Sequence, residues 1–475
     1  MGLFFLLTYD FENAEGPLYL FIYNRLKQDI ISGKLKAGEK LPSKRAFAGN
    51  NGISTITIQN AYDQLVSEGY VFTLPKRGYY VSDIAGTHAP AMKPDISYDI
   101  RVASEKTPLI CDLSNNGTDP DNFPFSVWAK VSREVMSNRK EELMKIAPSG
   151  GVRALREAIA NHLCSFRGMI VDPDQIIVGA GTEYLYGIIA QLLGTDKVYA
   201  IENPGYKKLV KIYGQRGIEC RFASMDDCGV TVDELCRLSA EVAHICPNHH
   251  FPTGITMPAS RRYEILAWAN ESRSRYIIED DYDSEFRTAG KPIPTLFSID
   301  GCGKVIYINT FSKSLTPTIR ISYMVLPAHL ANRFYETMSF YACTVSNFEQ
   351  YTLAEFISRG YFEKHINRMR LFYRRRRQTV IDEIQNSPVG RFCTIIENDS
   401  GLHFLLKVNV DVPSERIKRL LLENGIGINA LSDYYLTPVH SEDNQFIINY
   451  STLTKDKISA VLNILEVLAE RLLSD

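Results

Sequence analysis

Apolar residues recur every four positions at Leu18, Ile22, Leu26 and Ile30, which predicts a helix with one buried stripe, closed by Gly33. Pro42-Ser43 opens a second short helix with Ser43 as its N-cap, and Gly52 makes a tight turn. Ser54 caps a third helix that runs to about Glu68, with Ile58, Ala61, Tyr62 and Leu65 on its inner face, and Gly69 stops it. Val71–Leu74 and Tyr79–Val81 flank Pro75-Lys76-Arg77-Gly78, the pattern of a β-hairpin with a basic tip. Residues 12–82 thus predict a winged helix-turn-helix. Residues 83–110 carry Pro90, Pro94 and Pro108 without periodicity and read as a linker. From 111 to 475 short β-rich runs such as Ile176–Val178, Tyr276–Ile278 and Val305–Ile308 alternate with helical patterns. That alternation predicts an α/β body with a mostly parallel sheet and a smaller lobe over about 340–475.

Charge sharpens this division. Between Gly16 and Ser82 nine Lys/Arg stand against four Asp/Glu, an excess of five positive charges in a chain of net charge −2. The rest therefore carries −7. A small basic head on an acidic body is expected where only the head meets nucleic acid phosphate. The nine cysteines include no CxxC pair, so neither a disulfide framework nor a zinc site is expected, and the metal expectation is none. Leu3–Leu7 is apolar but far shorter than a membrane span and lacks the flanks of a signal peptide. The expected location is the cytoplasm, with no membrane partner.

Three body segments carry candidate chemistry, each after a predicted strand, where open α/β sheets form their ligand crevice. Gly179–Glu183 precedes an apolar helix, and the N–H groups of a helix start suit a phosphate, although such glycines also serve plain turns. In Glu279-Asp280-Asp281-Tyr282 a carboxylate can keep a pyridine nitrogen protonated and a tyrosine hydroxyl can bond a phenolic oxygen. A metal site or a solvated acidic loop fits that segment too. Thr310-Phe311-Ser312-Lys313, with Arg320 seven residues on, offers an amine able to attack an aldehyde, with hydroxyl and guanidinium donors for a phosphate. Each segment alone has an ordinary explanation. Together they supply what pyridoxal 5'-phosphate (PLP) requires: an amine, a pyridinium partner and a phosphate cradle.

Two resemblances follow. GKLKAGEKLPSKRAFAGNNGISTITIQNAYDQLVSEGYVFTLPKRGYYV resembles the GntR-type winged helix over some 50 residues. The resemblance implies that Arg45, Ser54, Thr57, Lys76, Arg77 and Gly78 touch double-stranded DNA. It departs at Thr55, where the family usually has arginine. NTFSKSLTPTIRISYMV, IIEDDYDSEFR, ENPGY, PNHHFPTG and GGVRALREAIANHLCSFRGM look like segments of fold-type I aminotransferases over about 111–475. The whole chain resembles the MocR-type, GabR-like regulators. That resemblance implies that Lys313 holds PLP covalently, Asp280 pairs its ring nitrogen and Tyr282 its phenolic oxygen. Arg320, Ser312, Thr310, Thr182 and Gly181 would hold phosphate, and Tyr206 would stack on the ring. It further implies a head-to-tail homodimer.

The resemblance also has a gap. Aminotransferases place an arginine near the C-terminus for the substrate carboxylate, and here the matching stretch NQFIINYSTL has none, while LSDYYL offers Asp433. Lys208 is the basic group left nearby for an effector. The expectation is a regulator that senses PLP itself or a small amine or amino acid. An aminotransferase that also binds DNA needs the same lysine, so its enzymatic status stays open.

Overall fold

The structure is a computed structural model that describes residues 9, 16–84, 109–114, 117–287, 293–396, 401–437 and 444–472. Most of the expected linker (85–108) and the apolar stretch Leu3–Leu7 lie outside the described residues. The chain divides into two units, Met1–Glu105 and Lys106–Asp475.

In the first unit, α1 (Leu18–Ile31), α2 (Lys44–Asn51) and α3 (Thr55–Ser67) precede the antiparallel pair β1 (Val71–Leu74) and β2 (Gly78–Val81). The apolar stripe read from the sequence forms its core: Ile22, Leu26 and Ile30 meet Ile58, Ala61, Tyr62 and Leu65 around Phe47. Leu18, the first residue of that stripe, is exposed instead, because it lies in the first turn beyond the reach of the core. Ser43 accepts a hydrogen bond from the Ala46 N–H (3.2 Å), and Ser54 accepts one from Ile56 (3.3 Å), as N-caps do. Gly52 closes α2 at φ 65°, a conformation glycine adopts without Cβ strain. At the hairpin tip the Leu74 carbonyl accepts from the Arg77 N–H (3.0 Å), with Pro75 second and Lys76 third at φ 61°. That is a type II turn with lysine where glycine is favoured.

In the second unit, β3 (Cys111–Asp112) pairs in parallel with β14 (Ile426–Gly427). The main sheet contains β4 (Ile176–Gly179), β5 (Val198–Asn203), β6 (Glu219–Asp226), β7 (Gly229–Val230), β8 (Val242–Ile245), β9 (Tyr276–Asp280), β10 (Val305–Thr310) and β11 (Ser322–Val325). Their order is β4-β11-β10-β9-β8-β5-β6-β7. Neighbours from β10 through β6 are parallel, while β11 runs antiparallel to both β10 and β4. Strands such as β4, β8 and β10 are buried at every position because both faces are covered. A smaller antiparallel sheet has the order β12 (Cys393–Ile396), β13 (His403–Val408), β16 (Gln445–Asn449), β15 (Asn429–Ala430). The strands run further than the sequence pattern predicted. Glu279 and Asp280 belong to β9, and Asn309 and Thr310 to β10, because pairing continues to the end of the sheet. Among the described residues no helix is long and apolar enough to cross a membrane.

Candidate functional site

Because β4, β5, β8, β9 and β10 point the same way, their carboxyl ends share one edge of the sheet. A cavity of about 570 Å³ opens there, lined by Thr182, Tyr206, Asp280, Tyr282, Thr310, Ser312, Lys313 and Arg320 among others. Residues spread over 139 positions of sequence are thus brought to one chamber. Gly181 and Lys208 are not among its lining residues.

The last turn of β9 decides which acid faces the chamber. Side chains alternate along a strand, so Asp280 points one way and its neighbours Glu279 and Asp281 the other. Asp281 is buried against Arg167 and also accepts from Tyr307 (2.7 Å) and Ser284 (2.8 Å). Glu279 accepts from the Leu296 and Phe297 N–H groups, each at 3.0 Å. Asp280 Oδ2 accepts from the Tyr186 hydroxyl at 2.5 Å and faces His244 Nε2 at 3.4 Å. A carboxylate only accepts, so His244 keeps its proton on Nε2 and takes the Tyr213 hydroxyl on Nδ1 (2.9 Å). Burial raises the Tyr186 and Tyr213 hydroxyls well above the ordinary range, so both remain donors. The other oxygen, Asp280 Oδ1, is buried without a partner.

Lys313 sits in the single turn Phe311–Ser314 that follows β10. Thr310 caps this turn, its Oγ1 accepting from the Ser312 N–H (3.1 Å). Burial lowers the Lys313 amine to about 8, against a weaker opposing pull from Asp283. About a tenth of this amine is therefore neutral at pH 7 and about half at pH 8, against well under one in a thousand for a solvated lysine at pH 7, and the neutral form is the nucleophile. Ser312 Oγ is a second buried atom without a partner.

Arg320 has φ 51° and reaches the start of the helix Thr182–Leu193, where its Nη2 donates to Glu183 Oε2 at 2.7 Å. A Cβ added at Gly181 would lie 2.3 Å from that Nη2, so only glycine leaves room for the guanidinium here. Lys208 is turned away onto Glu183, at the same rim. The hydrogen bond from Lys208 lowers the Glu183 carboxyl, so both cations are already matched to one acid. Tyr282 approaches His249 Nδ1 at 3.2 Å, and burial raises its hydroxyl well above the ordinary range. Asp283 Oδ2 lies 2.9 Å from the same nitrogen.

These groups suit a pyridine ring carrying a phosphate. An unsatisfied carboxylate oxygen can take a ring N–H. An unsatisfied hydroxyl, a helix start and a guanidinium can take a phosphate. Tyr186, His244, Glu183 and Asp283 were not singled out from the sequence. His244 had a signal, as the one polar residue in the apolar strand Val242–Ile245; the others lie in positions that only the fold brings together.

In the first unit Arg45 lies exposed in α2, and Lys76 and Arg77 occupy the exposed hairpin tip beside Gly78. Ser54 Oγ accepts the Ile56 N–H and retains its own O–H as a donor. Thr57 is half-buried in the first turn of α3.

Comparison with known proteins agrees with both units. Residues 110–465 match the aminotransferase class I and II family, and residues 18–81 match the bacterial regulatory proteins of the gntR family. The HTH-type transcriptional regulator YdeL of Bacillus subtilis is 36% identical over 428 residues, 89% of this chain and 91% of YdeL. The probable rhizopine catabolism regulatory protein MocR of Rhizobium meliloti is 29% identical, covering 91% of this chain and 90% of its own. The fold of the second unit is that of kynurenine aminotransferase from Pyrococcus horikoshii, at a TM-score of 0.65 and 23% identity, over 77% of this chain and 92% of the enzyme. A gntR-type winged helix followed by an aminotransferase body, at this similarity over nearly the whole length, places the chain in the MocR-type family of HTH-type transcriptional regulators.

Proposed function

We propose that the body binds PLP through Lys313 and that the head binds double-stranded DNA in a manner set by the state of the body. The observation that carries the first half is the pair of unsatisfied atoms, Asp280 Oδ1 and Ser312 Oγ, in one chamber with a lysine amine lowered to about 8. A buried polar atom without a partner costs roughly 1–3 kcal/mol, and the ring nitrogen and phosphate of PLP would relieve both. When bound, the cofactor supplies an aldehyde that reacts with amines. Lys313 would hold it, Asp280 would keep its ring nitrogen protonated, and Tyr282 would donate to its phenolic oxygen. Thr182, Thr310, Ser312, Arg320 and the Gly181 backbone would carry its phosphate, with Tyr206 over the ring face.

For the head, Arg45, Ser54, Thr57 and the tip Lys76-Arg77-Gly78 would contact DNA, with α3 toward the major groove. Lysine in a left-handed turn position that favours glycine supports a use for its charge at that tip. The favoured effector is PLP itself or an amine without a free carboxylate. Lys208 is matched to Glu183, and among the described residues Lys313 and Arg320 are the only Lys/Arg side chains that line the chamber, so a free effector carboxylate would lack a cation of its own. The family resemblance supports a head-to-tail homodimer as the working unit.

The test is a PLP titration of wild type and Lys313→Ala with borohydride trapping, followed by DNA footprinting of each with and without PLP. The expected result is an adduct on Lys313 in wild type, none in the variant, and a footprint that changes with PLP in wild type only. No adduct would overturn the cofactor reading, and identical footprints would overturn the coupling.

A further inference from the structure

The outward face of α3 departs from the rest of the basic head. Its sequence, TITIQNAYDQLVS, contains neither lysine nor arginine. Ile58, Ala61, Tyr62 and Leu65 turn inward and are buried, and that accounts for the apolar content of one face. Ile56 lies on the opposite face and is 71% exposed, although its apolar surface gains nothing from water. Asn60 follows it at i+4, exposed, and among the described residues its side chain has no hydrogen bond. Gln59, the other amide near this face, is occupied: it accepts from Lys44 Nζ and donates to Asp63 at 2.6 Å. Asp63 marks where the face becomes acidic, one turn further along, so the surface that can enter a groove is the N-terminal half.

An apolar contact suits the thymine methyl group, a free amide suits adenine N6 and N7, and guanine is read chiefly by arginine or lysine. Four residues of helix rise about 6 Å, close to two base-pair steps. We propose that α3 reads A·T pairs, Ile56 packing on a thymine methyl and Asn60 bonding an adenine within about two steps of it. This deepens the DNA-binding reading and rests on it.

The test uses the full-length protein. Duplexes are selected from a random pool, and each thymine of the enriched half-site is replaced in turn by deoxyuridine, which removes only the methyl group. The expected result is an A·T-containing half-site in which one such replacement weakens wild type about fourfold, the equivalent of ~0.8 kcal/mol for one methyl-sized group. Ile56→Ala binds both duplexes equally. Replacing one adenine by 7-deazaadenine weakens wild type and leaves Asn60→Ala unaffected. Both side chains are exposed, so the melting of the head is unchanged in the variants. Enriched G·C pairs at these positions, or a methyl effect that persists in Ile56→Ala, would overturn the assignment. Retention of DNA without any enriched sequence would also overturn it while leaving DNA binding intact. No retention at low salt would remove both.

Discussion

At the scale of single residues, the decisive quantity is the protonation of Lys313. An ordinary lysine amine titrates near 10.4, and burial brings this one to about 8. Below that value the ammonium form dominates and cannot attack; above it the free amine does. Covalent capture of PLP, trapped by borohydride at each pH, is expected to rise through a half-maximum near pH 8 and level off by pH 9. A half-maximum near pH 10 would mean that the amine is solvated. The chemistry of Asp280 is equally local. Tyr186 and His244 hold one oxygen and leave the other open, which fixes the orientation of the carboxyl group.

At the scale of elements, strand alternation makes two adjacent aspartates do different work. Asp281 pairs with buried Arg167 on the far face of β9, whereas Asp280 closes the chamber. Asp281→Asn strands a buried guanidinium and is expected to cost ~3–5 kcal/mol in urea unfolding. Asp280→Asn keeps the hydrogen-bonding shape and is expected to cost about 1 kcal/mol or less, while weakening PLP binding. Equal losses in the two variants would refute the alternation. The same acidic segment was open to several readings in the sequence, because Glu279, Asp280 and Asp281 are indistinguishable until a sheet assigns them faces. The helices of the head were legible earlier. Caps, stop glycines and a four-residue apolar period act within a few residues, so α2 and α3 begin at the capping serines read from the sequence.

At the scale of the molecule, two units have separate hydrophobic cores, one around Phe47 in the head and others on the two faces of the large sheet. Separate cores are expected to give the two units separate unfolding transitions. PLP is expected to raise the body transition alone, by about 2.7 kcal/mol at a hundredfold excess over Kd, and to leave the head transition in place. Calorimetry with and without PLP checks this, and a single transition that moves as a whole would contradict separate cores. The exposed face of α3 and the chamber around Lys313 thus belong to different units.

From its sequence alone this protein was legible as a basic winged helix ahead of an acidic α/β body, with a lysine, an aspartate and an arginine placed after strands. Local rules of periodicity, capping and charge suffice for that, since each depends on near neighbours in the chain. Only the tertiary structure decided which acid faces the chamber, that Lys208 turns to Glu183, and that Tyr186 and His244 orient Asp280. Those outcomes depend on strand order and register, which join residues 25 to 94 positions apart and leave no trace in any short window of sequence.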